Sequence, residues 1–384
     1  MEYNEYQEGV FITLCIHTYD RAVSLRRILE AHNISVNFEN VILSGTSFPS
    51  AVRVKIEEHD LPHALRIVES VEPIALPGMD KIFKGTDGNL LIPVDFKPHT
   101  MIACRLGFDL ARRLSLHPVL LHAYATPYFN GNFPFDETFI GSTGENIAND
   151  LSEVEISKDL GRESKNLMKN LRKKIEAEQK EGTIVSIGFS TMVNEGVAED
   201  VIREYCRMTP PELVVMATRG KQKKGEELIG SVTAEVLDTC KVPVFSIPDN
   251  CTLENIEKVK KCVYFCNLDQ NDIMTVDTFM RMFDYPEVSI TLVPVNEKIS
   301  KNIEEKVSHL VNYFNNAYPT AHFQSETFPV KNFMAEFYNY ESQAGIELII
   351  VPNRRRNIFA RLLNPGIAHK LLFERDLPLL AIPV

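Results

Sequence analysis

The run Met216-Ala-Thr-Arg-Gly-Lys-Gln-Lys-Lys-Gly-Glu-Glu-Leu-Ile-Gly-Ser-Val-Thr233 sets glycines, lysines and a Gly-Ser-Val-Thr tetrad between two apolar segments. Those residue types, placed at the start of a helix, can hold a phosphate. A helix N-terminus presents unpaired backbone N–H groups and the positive end of its dipole. Gly220 and Gly230 let the backbone approach anionic oxygens without a Cβ in the way, and Ser231 and Thr233 bring hydroxyl donors. The residues alone also allow a plainer account, with Ser231 as a helix N-cap and Lys221, Lys223 and Lys224 in a solvated turn. Asp95, which follows the apolar run Leu90 to Val94, could face the same place or serve only as a turn carboxylate.

The elements that must position these residues fall into three blocks. Residues 1–80 read as β-α-β-β-α, with a helix capped by Asp20, striped by Val23, Leu25, Ile28 and Leu29, and ended by Asn33. A further short strand would close a small ferredoxin-like α+β module. Residues 85–250 alternate strands and helices. The strands are LLIPVD, PVLLHAYA, TIVSIGFS, ELVVMAT and VPVFSIP, and residues 127–160 form an insertion loop. This alternation predicts a doubly wound parallel α/β sheet, whose ligands bind at the carboxyl ends of the strands. Asp95, Ala123 and Met216 stand at three such ends.

Residues 255–384 repeat the second block. KCVYFCNLD, SITLVPVNE, IELIIVPNRR and LLAIPV match its strands, and the register holds from Val214 against Ile349 to Leu237 against Leu372. The repeat alters the chemistry. Pro352 stands opposite Ala217, Arg355 opposite Gly220, Pro365 opposite Gly230, Gly366 opposite Ser231 and Ala368 opposite Thr233, with Asn267 near the position of Asp95. The second copy is therefore expected to have lost the phosphate loop and to be structural. The equivalent last strands, VFSIP and LLAIP, are the natural contact between the copies.

The chain of 384 residues carries a net charge of −11, which disfavours a broad nucleic-acid surface. Its seven cysteines are scattered without a CxxC pair, as expected of free thiols in a reducing compartment. The start MEYNEYQEGV does not read as a leader, and no apolar run approaches the ~18 residues of a membrane span. A cytoplasmic protein is the expectation. His59 and His63 are spaced like a zinc pair, but the glutamate of that motif is absent and Pro62 falls where a helix starts, so no metal site is expected. Gly220-x4-Gly225 lacks the Lys-Ser/Thr of a Walker loop.

Residues 85–384 resemble tandem universal stress protein domains. The resemblance rests on the family's Gly-x2-Gly-x9-Gly-Ser/Thr loop, represented here by Ala217, Gly220, Gly230 and Ser231, and on Pro93-Val-Asp-Phe96 at the first strand end. Ala217 departs from the pattern. The resemblance implies five-stranded parallel sheets, frequent dimerisation, and ATP or another adenine nucleotide, with or without Mg²⁺, in the first copy. It places Asp95 at the ribose or adenine, Pro93, Ala123 and Met216 as apolar walls, and Gly220, Gly230, Ser231, Val232 and Thr233 at the phosphates. The function expected is a stress-response sensor or switch, with at most slow ATP hydrolysis or autophosphorylation, and with the two copies as an intramolecular pseudo-dimer that could pair again between chains. The alternative is a nucleotide-free scaffold that recruits a protein partner through residues 1–80.

Overall fold

The computed structural model describes residues 11–17, 19–41, 51–70, 88–125, 153–218, 232–283, 287–295, 301–329, 332–353 and 377–384. Near the N-terminus, β1 (Phe11–His17), α1 (Tyr19–Ala31), β2 (Val36–Val41), β3 (Ala51–Glu57) and α2 (Leu61–Ser70) follow the expected order. The strands form an antiparallel sheet in the order β1-β3-β2. Ala22, Leu25 and Leu29 of α1 are buried with Val54 and Ile56 of β3, while Val23 and Ile28 are only half-buried. Asn33, at φ 62°, ends the helix in the left-handed conformation that asparagine tolerates. α1 begins at Tyr19, ahead of the expected cap Asp20, whereas α2 begins at Leu61, beside Pro62 as expected, after a 3-10 turn at Glu58–Asp60. Pro62 thus sits in the first turn of α2, where a backbone N–H has no helical acceptor anyway. The closing strand expected before residue 80 lies outside the described residues.

The next elements are β4 (Asn89–Pro93), α3 (Thr100–Arg113), β5 (His117–Tyr124), α4 (Glu153–Glu181), β6 (Ser190–Glu195), α5 (Ala198–Met208), β7 (Leu213–Thr218), α6 (Val232–Thr239) and β8 (Val244–Pro248). They are followed by β9 (Lys261–Cys266), α7 (Gln270–Met282), β10 (Ser289–Pro294), α8 (Lys301–Ala317), β11 (His322–Ser325), α9 (Phe333–Ala344), β12 (Leu348–Asn353) and β13 (Leu379–Pro383). All ten strands join one sheet, ordered β11-β10-β9-β12-β13-β8-β7-β4-β5-β6. Each five-strand half is parallel, and the halves meet antiparallel at β8–β13. Side chains of α3, α4, α7 and α8 share one core, and those of α5, α6 and α9 share the core on the other face. Helices on both faces explain why the central strands read as unbroken apolar runs rather than alternating ones. The sheet comes close to α3 at Gly107, where a Cβ would lie 2.7 Å from Ile92 Cδ1.

The halves are joined at Leu379↔Ser246, Leu380↔Phe245 and Ala381↔Val244, and the Ser246 hydroxyl donates to the Leu379 carbonyl at 3.3 Å. The Phe245 ring meets Phe283, just past α7, edge to face at 6.1 Å. Between β8 and β9 the chain is tied back to α3. Asp109 Oδ2 accepts from the Ile256 N–H at 3.1 Å, and Arg113 pairs with Glu257 at 2.6 Å.

TIVSIGFS is not a strand. The strand of this region is Ser190–Glu195, beginning at its last residue and pairing in parallel with β5. Ile184 and Phe189 are buried, but the backbone between them is held from α4 instead. The Gln179 side-chain amide donates to the carbonyls of Val185 and Ile187, both at 2.9 Å. A side chain has satisfied acceptors that a neighbouring strand would otherwise take.

Candidate functional site

The connections after β4 and β7 leave for opposite faces of the sheet, because α3 packs on one face and α6 on the other. β4 and β7 pair at Leu90↔Leu213 and Leu91↔Val214 and then part. Their carboxyl ends therefore flank a crevice at the point where the strand order reverses, which is where ligands bind in such sheets. Pro93 ends β4, Asp95 follows it, Ala123 lies near the end of β5, and Met216 and Ala217 lie near the end of β7. The structure thus brings Pro93, Asp95, Ala123 and Met216 to one end of three adjacent strands.

Asp95 is fixed by a left-handed turn. Phe96 has φ 60°, which swings the chain into α3 and points that helix's first groups back at the carboxylate. Oδ1 accepts from the Lys97 N–H at 3.1 Å and the Thr100 hydroxyl at 2.9 Å, and Oδ2 lies 3.2 Å from His99 Nε2. Lys97 Nζ stands 3.4 Å from Oδ2. Partial burial raises the carboxyl's pKa, but the hydrogen bond and charge of His99, the Lys97 N–H and the Thr100 hydroxyl outweigh it, leaving the pKa well below the usual carboxylate range. The folded value lies below the unfolded one. The resulting stability is present above the ordinary carboxyl value and is lost as pH falls through the folded one. With 44% of the side chain exposed, that contribution is small, but the charge itself is secure.

The strand end behind Asp95 is locked by a residue that sequence reasoning passed over. His122 Nδ1 lies 2.8 Å from the Val94 carbonyl, and its ring tilts against Phe96 at 4.2 Å. Burial holds its pKa down, against the Val94 carbonyl and the Asp95 charge. The available signal was a histidine inside the otherwise apolar run VLLHAY. In a His99→Ala chain, the Asp95 carboxyl is expected to titrate nearer its ordinary value. Carbon-detected NMR checks this, and an unchanged titration would remove His99 from the account.

Ala217 is an ordinary strand residue. It pairs with Ile247, has no positive φ, and packs against the core on the α3 face, whereas Met216 faces the α6 side. Its methyl therefore does not require a glycine-like backbone. Val232 and Thr233 open α6, with Thr233 buried. Gly220, Gly230 and Ser231 lie outside the described residues. The described part sets apolar strand ends around one fixed carboxylate.

The second half has the same register with different chemistry. Pairing places Cys262 and Val263 of β9 against Leu348 and Ile349 as Leu90 and Leu91 stand against Leu213 and Val214, so Asn267 corresponds to Asp95. Leu268, the counterpart of Phe96, repeats its left-handed φ at 59°. The carboxylate has moved from the turn to the helix. Asp272, where the first half has Thr100, accepts from the N–H groups of Asn267 at 3.1 Å and Asp269 at 3.0 Å and from the Tyr264 hydroxyl, and is fully buried. Arg355, Pro365, Gly366 and Ala368 lie outside the described residues. Among the described residues no His, Cys, Asp or Glu cluster could hold a metal ion, and no helix is long and apolar enough to cross a membrane.

Comparison with known proteins finds similar chains. A universal stress protein of Methanocaldococcus jannaschii is 24% identical over 160 residues, covering 41% of this chain and 93% of that protein. A universal stress protein structure from Archaeoglobus fulgidus is 13% identical with a TM-score of 0.48, covering 77% of this chain and 96% of that one. A universal stress protein solved in complex with cAMP is 16% identical with a TM-score of 0.29, covering 42% and 98%. The stretch from residue 88 to 248, which holds β4 to β8 and every strand end of the candidate site, matches the universal stress protein family.

Proposed function

We propose that residues 85–250 bind ATP or a related adenine nucleotide and act as a stress-response sensor or switch. The observation that carries this reading is the fixed, ionised Asp95 at the crevice between β4 and β7, flanked by the apolar strand ends of Pro93, Ala123 and Met216. Asp95 accepts from the ribose hydroxyls or the base, and the loop through Gly220, Gly230, Ser231, Val232 and Thr233 takes the phosphates. The match of residues 88–248 to the family supports the assignment. Residues 255–384 serve as a second, nucleotide-free copy, because Asn267 offers no carboxylate and Asp272 is consumed in a buried network. The β8–β13 junction makes the two copies an intramolecular pseudo-dimer.

The test is calorimetric titration of the whole chain with ATP·Mg²⁺, beside a Gly230→Glu variant that puts a bulky anion into the phosphate loop. Saturable binding at about one site per chain is expected, weakened by roughly tenfold or more in the variant, the scale of a lost charged hydrogen bond. No heat of binding at millimolar ATP would favour the scaffold reading and turn attention to partners of residues 1–80.

A further inference from the structure

The edge strand β6 carries a side chain that the site described so far does not use. Asn194, next to last in β6, is 4% exposed, and its Oδ1 has no hydrogen-bond partner among the described residues. Other buried polar side chains of this sheet are satisfied. The Asn89 oxygen accepts from Tyr205, Ser246 donates to Leu379, and Thr291 is bonded to Tyr340 and Gln324. An unpaired buried amide oxygen is costly and rare.

Its position suggests the missing donor. Asn194 stands directly across from Ala123 in the β5–β6 ladder, at the carboxyl end of the sheet. By strand alternation it shares a face with Met192, which packs into the same core as Ala123, Met216 and Val232. Met216, Pro93, Ala123 and Asn194 therefore form a slanted row on one face, in the strand order β7-β4-β5-β6, because Pro93 pairs with Leu121 and the Ala123–Asn194 pair stands two residues beyond it toward the carboxyl end. A nucleotide with its phosphates at the start of α6 and its sugar at Asp95 lays its base along that row toward β6. The first polar side chain met beyond Ala123 is Asn194, which presents an acceptor.

We propose that Asn194 is a specificity-determining residue whose side-chain oxygen accepts a hydrogen bond from the exocyclic 6-amine of a bound adenine. The inference rests on the nucleotide-binding reading given above. An acceptor at this place favours a purine bearing an amine at position 6 and opposes one bearing an oxygen there, since two acceptors would then face each other without a proton between them.

The experiment compares ATP with inosine triphosphate, which carries oxygen in place of the 6-amine, on the full chain and on an Asn194→Leu variant. The unaltered protein is expected to prefer ATP by roughly tenfold or more, and the variant by about twofold or less. Replacing an unpaired buried amide with an apolar group of similar size is not expected to lower the melting temperature. Equal affinity of the unaltered protein for the two nucleotides overturns the inference without recourse to any variant. So does a preference that survives Asn194→Leu, and either result leaves the nucleotide site standing. Failure of the unaltered protein to bind either nucleotide overturns both this inference and the function on which it rests.

Discussion

A Phe245→Ala chain is expected to lose about 3–5 kcal/mol of stability, the scale for removing a fully buried phenylalanine. Phe245 is 0% exposed and belongs to both halves at once. Its backbone sits opposite Leu380 in the β8–β13 ladder, and its ring meets Phe283 of the second half. Truncation leaves a cavity where the halves touch and weakens their coupling as well as the first half itself. For a protein of this size the melting temperature should fall by about 4–6 °C. Urea unfolding followed by two probes, one in each half, should show transitions that coincide in the parent chain and separate in the variant. A loss under about 1 kcal/mol with transitions still coincident would mean that the junction is held elsewhere, for example through Asp109 and Ile256.

Asp272→Ala should have a comparable effect for a different reason. Its removal strands the Tyr264 hydroxyl and the N–H groups of Asn267 and Asp269, and it breaks the capping box that starts α7. The Tyr264 hydroxyl is buried and the two N–H groups are partly so; at about 1–3 kcal/mol for a stranded buried donor and less for the others, with the lost cap, a total of roughly 3–5 kcal/mol is expected. Burial raises the Asp272 pKa, and it stays raised despite the donors around it. A raised carboxyl contributes stability that is complete below its unfolded value and is lost as pH rises through its folded value. Asp272→Asn, which never carries the charge, should therefore compare better with the parent at neutral pH than at acid pH. Denaturation midpoints for parent, alanine and asparagine chains across that range check both statements. An alanine chain within about 0.5 kcal/mol of the parent would refute the role given to Asp272.

The strands of the large sheet were legible because helices cover both its faces, which leaves near-continuous apolar runs such as LLI, LVVM and LIIV. The place of Asp95 at a strand end was legible because the apolar run before it reads as a buried strand. Its partners were not. His99 and Thr100 reach it only because Phe96 turns left-handed, and His122 reaches Val94 from 28 residues away. TIVSIGFS misled because Val185, Ile187 and Phe189 alternate as apolar residues of a strand do, while the deciding contact comes from Gln179 on the preceding helix. In the second half, the repeat register showed Asn267 where the first half has Asp95. It could not reveal that a carboxylate five residues on had turned back to hold the same turn from the other side. Asn194 gave no signal at all, since an asparagine in a polar-looking edge strand ordinarily faces water.

The seam at β8–β13 also bears on how the chain is made. Ser246 and Leu379, neighbours across it, are 133 residues apart in sequence. During synthesis the first five strands can fold long before their central neighbour exists, and β8 waits with an apolar outer edge whose every residue is buried in the finished protein. Such an edge is a ready template for a foreign strand, including the β8 of another nascent copy. Arrival of β13 turns that temporary liability into the middle of a continuous sheet, where no second molecule can reach it.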